Sequence, residues 1–223
     1  MANCYIDPNA TLSWDALFPY VLPYVLGVPN ELMAHNIRLS AIEFCRRSGI
    51  LHDENTFEMQ AGVSDFFLTT ICDYEIVRIV EVSMCGCYHF RPTLHKPMNN
   101  CFCGPYGFWM ENVDVLHLSK PFPGFQTQPQ PNNPANKHLR VEFVVQPKQD
   151  GCTLDNYLYE YWAEGIAYGA IHRLMMIPNV KWFNPQLAQA YQLKFRNEIV
   201  RARTANDLNF TSGSAFMKTE RWI

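Results

Sequence analysis

The sequence lacks the features that mark membrane, secreted and dedicated nucleic-acid-binding proteins. Its apolar stretch at residues 17–28 is broken by Pro19, Pro23 and Gly27 and is too short to span a membrane. The first residues carry no basic cluster of the kind that opens a signal peptide. Lysine and arginine number 18 against 21 aspartates and glutamates, and the net charge of −3 argues against a dedicated nucleic-acid binder. We therefore expect no targeting segment and no membrane contact.

Catalytic signatures are missing as well. The chain has no Gly-rich phosphate loop, no nucleophile elbow and no His-Glu-x-x-His motif. Its seven histidines are scattered, and we expect His172 to be a packed residue rather than a base. The neighbouring carboxylates Asp53 and Glu54 are expected to be solvated. The sequence therefore predicts a protein that is not an enzyme and uses no cofactor.

Cysteine is present, but its distribution does not indicate a disulfide framework. The eight residues lie at positions 4, 45, 72, 85, 87, 101, 103 and 152. Isolated cysteines in predicted helices or turns are typical of buried thiols, which agrees with synthesis in a reducing cytoplasm.

Two Cys-x-Cys pairs are the strongest signal for a metal site. They are Cys85 with Cys87 and Cys101 with Cys103. Four thiolates can hold a zinc ion, and His89 or His95 could replace one of them. Structural zinc sites more often use cysteines separated by two residues, and packing also explains two cysteines on one side of a strand. Zinc, packing and disulfides formed after lysis stay open, and we expect packing without metal.

Residues 11–50 have the periodicity of two helices. Ser13 is predicted to cap a short helix through Phe18, which the segment from Pro19 to Pro23 must end. A longer helix follows, with Pro29 near its first turn and Ser48-Gly49 as its stop. Its apolar stripe consists of Met33, Ile37, Ala41, Phe44 and Cys45.

The middle of the chain loses the helical period, and its patterns are typical of β structure. Short strands are predicted at 56–60, 66–69, 74–82, 113–118 and 139–145. In the third of these, Tyr74, Ile76, Val80 and Val82 are expected to share one face. The segments 83–107 and 121–136 are rich in turn residues, and the second is expected to be an exposed, mobile loop.

Two amphipathic helices are predicted in residues 153–206. Thr153 is expected to cap the first helix, and Pro178 to end it. Asn184-Pro185 is a strong start signal for the second. Small residues in the first helix leave room for another helix: Gly165, Ala167, Gly169 and Ala170. The apolar stripe of the second comprises Leu187, Tyr191, Phe195, Ile199 and Ala202.

The last residues carry large apolar side chains without any periodicity. They are Phe210, Phe216, Met217 and Trp222, accompanied by the cations Lys218 and Arg221. A segment of this kind has no obvious place to bury them within its own fold, and it is typical of a subunit that assembles with a partner. The aromatic content of 14% also suits large contact surfaces, although an aromatic core is equally compatible.

Together these patterns predict an α+β protein. N- and C-terminal helices would form one helical bundle, interrupted by an antiparallel β domain and followed by an extended tail. The predicted parts are the N-terminal helical part (1–54), the β-rich insertion (55–150), the C-terminal helical hairpin (151–206) and the tail (207–223).

Two parts of the sequence resemble a known family. The segment from Asn30 to Cys45 is similar to the first long helix of head-to-tail adaptor proteins of tailed phages, chiefly those with short tails. The second part is the series Gln146-Pro147, Leu154-Asp155, a Tyr/Gly-rich helix, Pro178, Trp182, Asn184-Pro185 and a helix running into Arg201. The resemblance covers nearly the whole chain except the Cys-rich stretch and the 121–136 loop. It depends on the order and spacing of these motifs.

The resemblance implies a structural virion protein at the head–tail interface, made in the host cytoplasm. Its copies would form a ring, typically of twelve subunits, under the portal protein. The ring would extend the channel for passing genomic DNA, without sequence-specific binding, and would carry tail nozzle or fibre proteins. The alternatives are another neck or tail-completion protein and a zinc-containing binding module.

The same resemblance suggests where contacts would form. Candidate contacts between subunits are Tyr157, Tyr161, Tyr168, Trp182 and Phe183, although packing in the bundle core explains the tyrosines equally well. The six tail residues from Phe210 to Trp222 named above would bind the portal or a neighbouring subunit and become ordered on docking.

Overall fold

The computed structural model describes residues 12–59, 62–71, 73–84, 88–93, 107–119 and 138–207. The chain divides into two compact units. Within the described residues, the β unit lies in residues 51–148, and the helical unit combines residues 12–50 with residues 149–207. The predicted mixture of helix and sheet is confirmed. Within the described residues, no helix is both long and apolar enough to cross a membrane.

The helices belong to the helical unit. A 3₁₀ turn at Trp14–Leu17 is followed by α1 (Phe18–Val21), α2 (Asn30–Ser48), α3 (Asn156–Met175) and α4 (Pro185–Asp207). The strands, in chain order, are β1 (Leu12–Ser13), β2 (His52–Glu58), β3 (Asp65–Phe67), β4 (Tyr74–Met84), β5 (Tyr88–His89), β6 (Arg91–Pro92), β7 (Gly107–Met110), β8 (Val115–Leu118), β9 (His138–Pro147) and β10 (Thr153–Leu154).

Helix α3 is the central element of the helical unit. It contacts α1, α2 and α4, and it is buried on most of its circumference, with an exposed strip at Glu160, Tyr161 and Glu164. A helix that is covered on several sides carries apolar residues on several sides, which explains why its sequence lacks a broad polar face.

Three aromatic rings join the long helices in one core. The ring of Phe44 on α2 lies 5.6 Å from that of Trp162 on α3 and 6.3 Å from that of Phe195 on α4, measured between ring centroids. All three side chains are almost fully buried. The helices from both ends of the chain therefore share a single hydrophobic core.

Two glycines allow α4 to approach α3 closely, as the sequence predicted. A Cβ atom placed on Gly169 would lie 2.8 Å from Cε2 of Phe195, and one on Gly165 would lie 3.1 Å from Cβ of Glu198. Distances below 3.0 Å do not occur between packed carbon atoms without a shift of one of them. Gly169 is therefore required by the close packing of the two helices. Its backbone conformation is helical and would suit other residues as well.

The beginnings of the helices differ in part from the prediction. Pro19 does not end the first helix; it lies in the first turn of α1, where its missing N–H costs no hydrogen bond. Ser13 precedes the 3₁₀ turn but makes no side-chain capping bond. The cap of α3 is Asp155 rather than Thr153, since Oδ1 of Asp155 accepts a hydrogen bond from the Tyr157 amide at 2.7 Å. Thr153 instead lies in β10, paired with β1.

The other helix signals agree with the structure. Gly49 ends α2 in the left-handed conformation (φ 67°), and its amide donates to the Cys45 carbonyl. Oδ1 of Asn184 accepts from the Leu187 amide at 3.1 Å, so Asn184 caps α4. The predicted stripe of α4 is buried except for Leu187, which is 40% exposed, and Ala188 takes its place in the core.

The β unit contains two four-stranded sheets in its described residues. One has the strand order β2-β9-β4-β5 and is antiparallel; the other has the order β3-β8-β7-β6. The pair β6–β7 is parallel, which departs from the expected all-antiparallel arrangement. The rings of Phe57 on β2 and Phe66 on β3, 5.3 Å apart, join the two sheets.

Strand β4 does not keep the simple alternation that the sequence suggested. Tyr74, Ile76 and Val82 are buried, but Val80 is 49% exposed. The pairing with β9 shifts register between Ile76 and Arg78 and again between Ile79 and Glu81. Each irregularity adds a residue without a partner and reverses the face to which the following side chains point.

Candidate interaction surface

Five tyrosines of the helical unit make ring contacts in two neighbouring groups. In the first, Tyr20 meets Tyr159 edge-on at 6.4 Å. In the second, Tyr191 lies 5.4 Å from Tyr24 and 5.7 Å from Tyr168. Tyr20 and Tyr24 are only four residues apart, which places the two groups side by side. We call these five residues the tyrosine surface; α1 and the turn after it, α3 and α4 supply its members. Tyr20 and Tyr24 are 36% and 49% exposed, whereas Tyr191 is buried and supports the rings of Tyr24 and Tyr168.

The pKa values of three phenols of this surface are raised: those of Tyr20, Tyr168 and Tyr191. Burial raises the pKa of Tyr20, and neighbouring Tyr159 raises it further. Burial likewise raises the pKa of Tyr191, with contributions from Tyr24 and Tyr168. The pKa of Tyr168 is also raised, first by burial and then by Glu164, to which its hydroxyl donates at 3.3 Å. Tyr20 and Tyr168 therefore offer aromatic area and neutral hydroxyl groups for hydrogen bonds.

A single lysine places a cation beside the rings. Nζ of Lys194 lies 5.0 Å from the ring centroid of Tyr191 and 5.3 Å from that of Tyr168. Both distances are within the range of cation–π attraction, about 6 Å. Since Lys194 is on the same helix as Tyr191, this contact also helps to fix the orientation of both rings at the edge of the surface.

The segment that carries Tyr20 and Tyr24 also exposes two leucines. Leu22 is 39% exposed and Leu26 is 75% exposed, and Tyr24 between them is 49% exposed. By contrast, Val21 and Val25 in the same segment are fully buried. The segment therefore anchors itself through its valines and presents leucine and tyrosine to solvent. Exposed aromatic and aliphatic side chains placed together are typical of protein–protein contact sites.

The structure brings together some of the predicted contact residues and separates others. The rings of Tyr157 and Tyr161 lie 5.1 Å apart in the first turns of α3, and Tyr161 is 62% exposed. Trp182 and Phe183 lie beyond the other end of the helix, in the loop before α4, where Phe183 is 45% exposed. The rise of 1.5 Å per residue separates this loop from Tyr161 by roughly 20 Å. They therefore do not form one patch with Tyr157 and Tyr161.

Prediction from the sequence missed four members of the tyrosine surface as a contact group: Tyr20, Tyr24, Tyr159 and Tyr191. A signal for two of them was present. Residues 19–26 consist of Pro-Tyr-Val-Leu twice in succession. A period of four is close to one helical turn, so each tyrosine, valine and leucine repeats its environment. This tandem pattern distinguishes the buried valines from the exposed tyrosines.

Several predicted sites lie outside the described residues. These are the four zinc candidates Cys85, Cys87, Cys101 and Cys103, and the tail residues Phe210, Phe216, Met217, Lys218, Arg221 and Trp222. Within the described part of the chain, no group of three or more His, Cys, Asp or Glu side chains is arranged to hold a metal ion. Cys45 is buried, which raises the pKa of its thiol, while Cys152 is exposed.

His172 is packed, as expected. Its Nδ1 lies 3.0 Å from the carbonyl oxygen of Ala188, so the ring links α3 to the first turn of α4. The exposed carboxylate of Glu54 pairs with Arg140 on the neighbouring strand.

Comparison with known proteins does not identify a function, so the proposal below rests on the contacts described above. No protein-family model matches the chain. No curated protein is similar enough in sequence to count as a match.

Proposed function

We propose that this chain is a head-to-tail adaptor subunit of a tailed phage. Its copies form a ring, with twelve-fold symmetry, under the portal protein at the head–tail junction of the virion. The ring extends the channel through which genomic DNA passes, and it presents a platform for tail nozzle or fibre proteins. The subunit acts by assembly and has no catalytic step.

The tyrosine surface with its two leucines is the observation that carries the proposal. A ring subunit must offer a neighbour a preformed patch that pairs with a different patch on the next copy. Tyrosine supplies large contact area at low conformational cost, and it is enriched at protein interfaces. Leu26, 75% exposed, gains most from being covered, since a fully buried leucine contributes about 1.5–3 kcal/mol.

The order of elements also supports the proposal. A long helix (α2), a β-rich segment and a helical hairpin (α3 and α4) follow one another in the order of the adaptor pattern. In this proposal α2, α3 and α4 form the bundle of the adaptor, and the β unit is its insertion. Residues 207–223 are the extension whose aromatic side chains dock on the portal or a neighbouring subunit.

Electron microscopy of the purified protein, with and without portal, tests the proposal. We expect two-dimensional class averages to show closed rings, and light scattering to give a mass that is a fixed multiple of 25.9 kDa. A protein that stays monomeric at all concentrations and with portal present would contradict the proposal.

A matched pair of variants tests the surface itself. Leu26→Ser removes exposed apolar area from the helical unit, and Phe67→Ser, at a side chain that is 68% exposed, does the same in the β unit. We expect the first variant to need a roughly tenfold higher concentration for ring formation and the second to assemble like wild type. Equal assembly of both variants would exclude the tyrosine surface as the ring contact.

A further inference from the structure

A charged cleft opens within the helical unit, separate from the tyrosine surface. It has a volume of about 230 Å³, and each of the three long helices contributes an arginine to its wall. These are Arg47 on α2, Arg173 on α3 and Arg196 on α4. We call this feature the arginine cleft.

One carboxylate holds two of the three arginines in place. Oε1 of Glu43 lies 2.9 Å from Nη1 of Arg47, and Oε2 of Glu43 lies 2.7 Å from Nη2 of Arg173. Each guanidinium has five N–H donors, and each uses one nitrogen in these pairs, so most donors remain available. The arginine side chains are 45% and 34% exposed, which leaves them accessible from the cleft.

The opposite wall adds donors that have no counter-charge. Among the described residues, Arg196 has no carboxylate within 4.0 Å. Gln192 lies one turn before it and contributes an amide. Three guanidiniums and one carboxylate leave two net positive charges around the cleft. The nearby His172 donates from Nδ1 to the Ala188 carbonyl, so Nε2 of its neutral ring is an acceptor and adds no donor to the cleft.

We propose that the arginine cleft binds a phosphate-type oxyanion, supplied by a nucleic-acid backbone or by free phosphate. Guanidinium groups converging from three helices match the several oxygens of such an anion, each of which can accept from a planar N–H fork. Phe195 lines the cleft but is only 3% exposed, so its ring offers no face on which a base could stack. The cleft therefore recognises the phosphate group itself. This inference is independent of ring formation.

Arg196→Gln tests the site without disturbing the Glu43 pairs, and Arg203→Gln is the matched control. Arg203 is an exposed arginine on the same helix, two turns further on and outside the lining. Binding of fluorescein-labelled single-stranded and duplex 20-mers is measured by anisotropy at several NaCl concentrations. Inorganic phosphate is titrated separately by calorimetry, and circular dichroism confirms the fold of both variants.

We expect wild type and Arg203→Gln to bind at least one probe, and Arg196→Gln to bind it about tenfold more weakly. If the source is a nucleic acid, the salt dependence of log K for Arg196→Gln decreases by about one unit. If Arg196→Gln weakens the binding of inorganic phosphate but not of the oligonucleotides, the ligand is a small oxyanion. The proposal is overturned if the wild-type protein binds neither the oligonucleotides nor inorganic phosphate. It is also overturned if Arg196→Gln and Arg203→Gln weaken binding equally.

Discussion

In the helical unit the central helix α3 is buried on most of its circumference, whereas the long strands of the β unit are buried along part of their length. Strand β9 is continuously buried only from Phe143 to Pro147, and β4 alternates irregularly because of its two bulges. A helix that is closely surrounded by others needs small residues at its nearest contacts. A sheet with one solvent-exposed face needs a consistent register, so that its apolar side chains all point to the other face. The two units therefore depend on different details of their sequences.

The charged contacts of the two units also have different roles. In the helical unit Glu43 joins α2 to α3 through Arg173, so one ion pair links two helices. In the β unit Nδ1 of His117 lies 2.7 Å from Asp65, and its Nε2 lies 2.8 Å from Glu111. The ion pair of Glu43 beside the arginine cleft thus links two helices. The contacts of His117 in the sheet β3-β8-β7-β6 link two strands and an adjacent turn.

Exposed apolar residues occur in both units. In the helical unit Leu22, Tyr24 and Leu26 belong to one segment. In the β unit Phe67 pairs with Val115, and the Leu68 amide donates to the Asp114 carbonyl, so the exposed Val113 lies close to Phe67. Single exposed apolar residues are normal on any protein surface, but a clustered group indicates a contact site. Both units carry such neighbouring exposed side chains, and the comparison of Leu26→Ser with Phe67→Ser tests which of them takes part in the proposed assembly.

The largest effect is expected in the β unit, where bulges decide which valine of β4 is buried. Val82→Thr places a hydroxyl in the core and is expected to lower the free energy of unfolding by about 1–3 kcal/mol. Val80→Thr, at an exposed position, should change it by less than about 0.5 kcal/mol. Urea unfolding of both variants measures the difference. A cost for Val80→Thr as large as that for Val82→Thr would contradict the assigned register.

A smaller effect is expected at the glycines of α3. Alanine favours a helix over glycine by about 1 kcal/mol, but at Gly169 its Cβ would meet the Phe195 ring at 2.8 Å. Overpacking costs typically about 1–3 kcal/mol, so Gly169→Ala should be destabilising by about 1 kcal/mol. Gly165→Ala, with a nearest contact of 3.1 Å, should be close to neutral. Thermal unfolding of the pair measures this order, and the reverse order would show that the helices pack differently.

The smallest effect concerns pH. Burial raises the pKa of Glu43, but hydrogen bonds and positive charge from Arg47 and Arg173 outweigh it, so the net pKa is lowered. A lowered folded pKa means that the carboxylate stabilises the fold above its ordinary pKa of 4.5 and that this stability is lost as the pH falls through the folded pKa. Glu43→Gln should flatten that acid dependence. Urea unfolding at a series of acidic to neutral pH values measures it, and parallel curves for both proteins would contradict the assignment.

Local patterns predicted most of the long elements. The stripe from Met33 to Cys45 and the Asn184-Pro185 start both describe elements that the structure contains. Such signals are short-range, because a helix face and a helix cap depend on residues within one or two turns. The cap at Asp155 was missed because the sequence analysis assigned the cap to Thr153, which the structure instead pairs with a distant strand.

The candidate sites were less predictable. The ring contact of Tyr157 with Tyr161 follows from their spacing of about one helical turn, whereas the tyrosine surface and the arginine cleft join residues more than a hundred positions apart. Periodicity carries no information about which helix faces another. The proposed ring, portal and tail contacts stay predictions.

By itself, the sequence determined the mixture of helices and strands, the end of α2, the start of α4, and the small residues that admit a close helix. These follow from local conformational preference and the period of apolar residues. Tertiary structure alone decided that Val80 is exposed, that Tyr24 meets Tyr191, and that three arginines share one cleft. The physical reason is that bulges, ring contacts and charge clusters depend on partners that packing brings together. These partners are far apart along the chain, so no local sequence pattern indicates them.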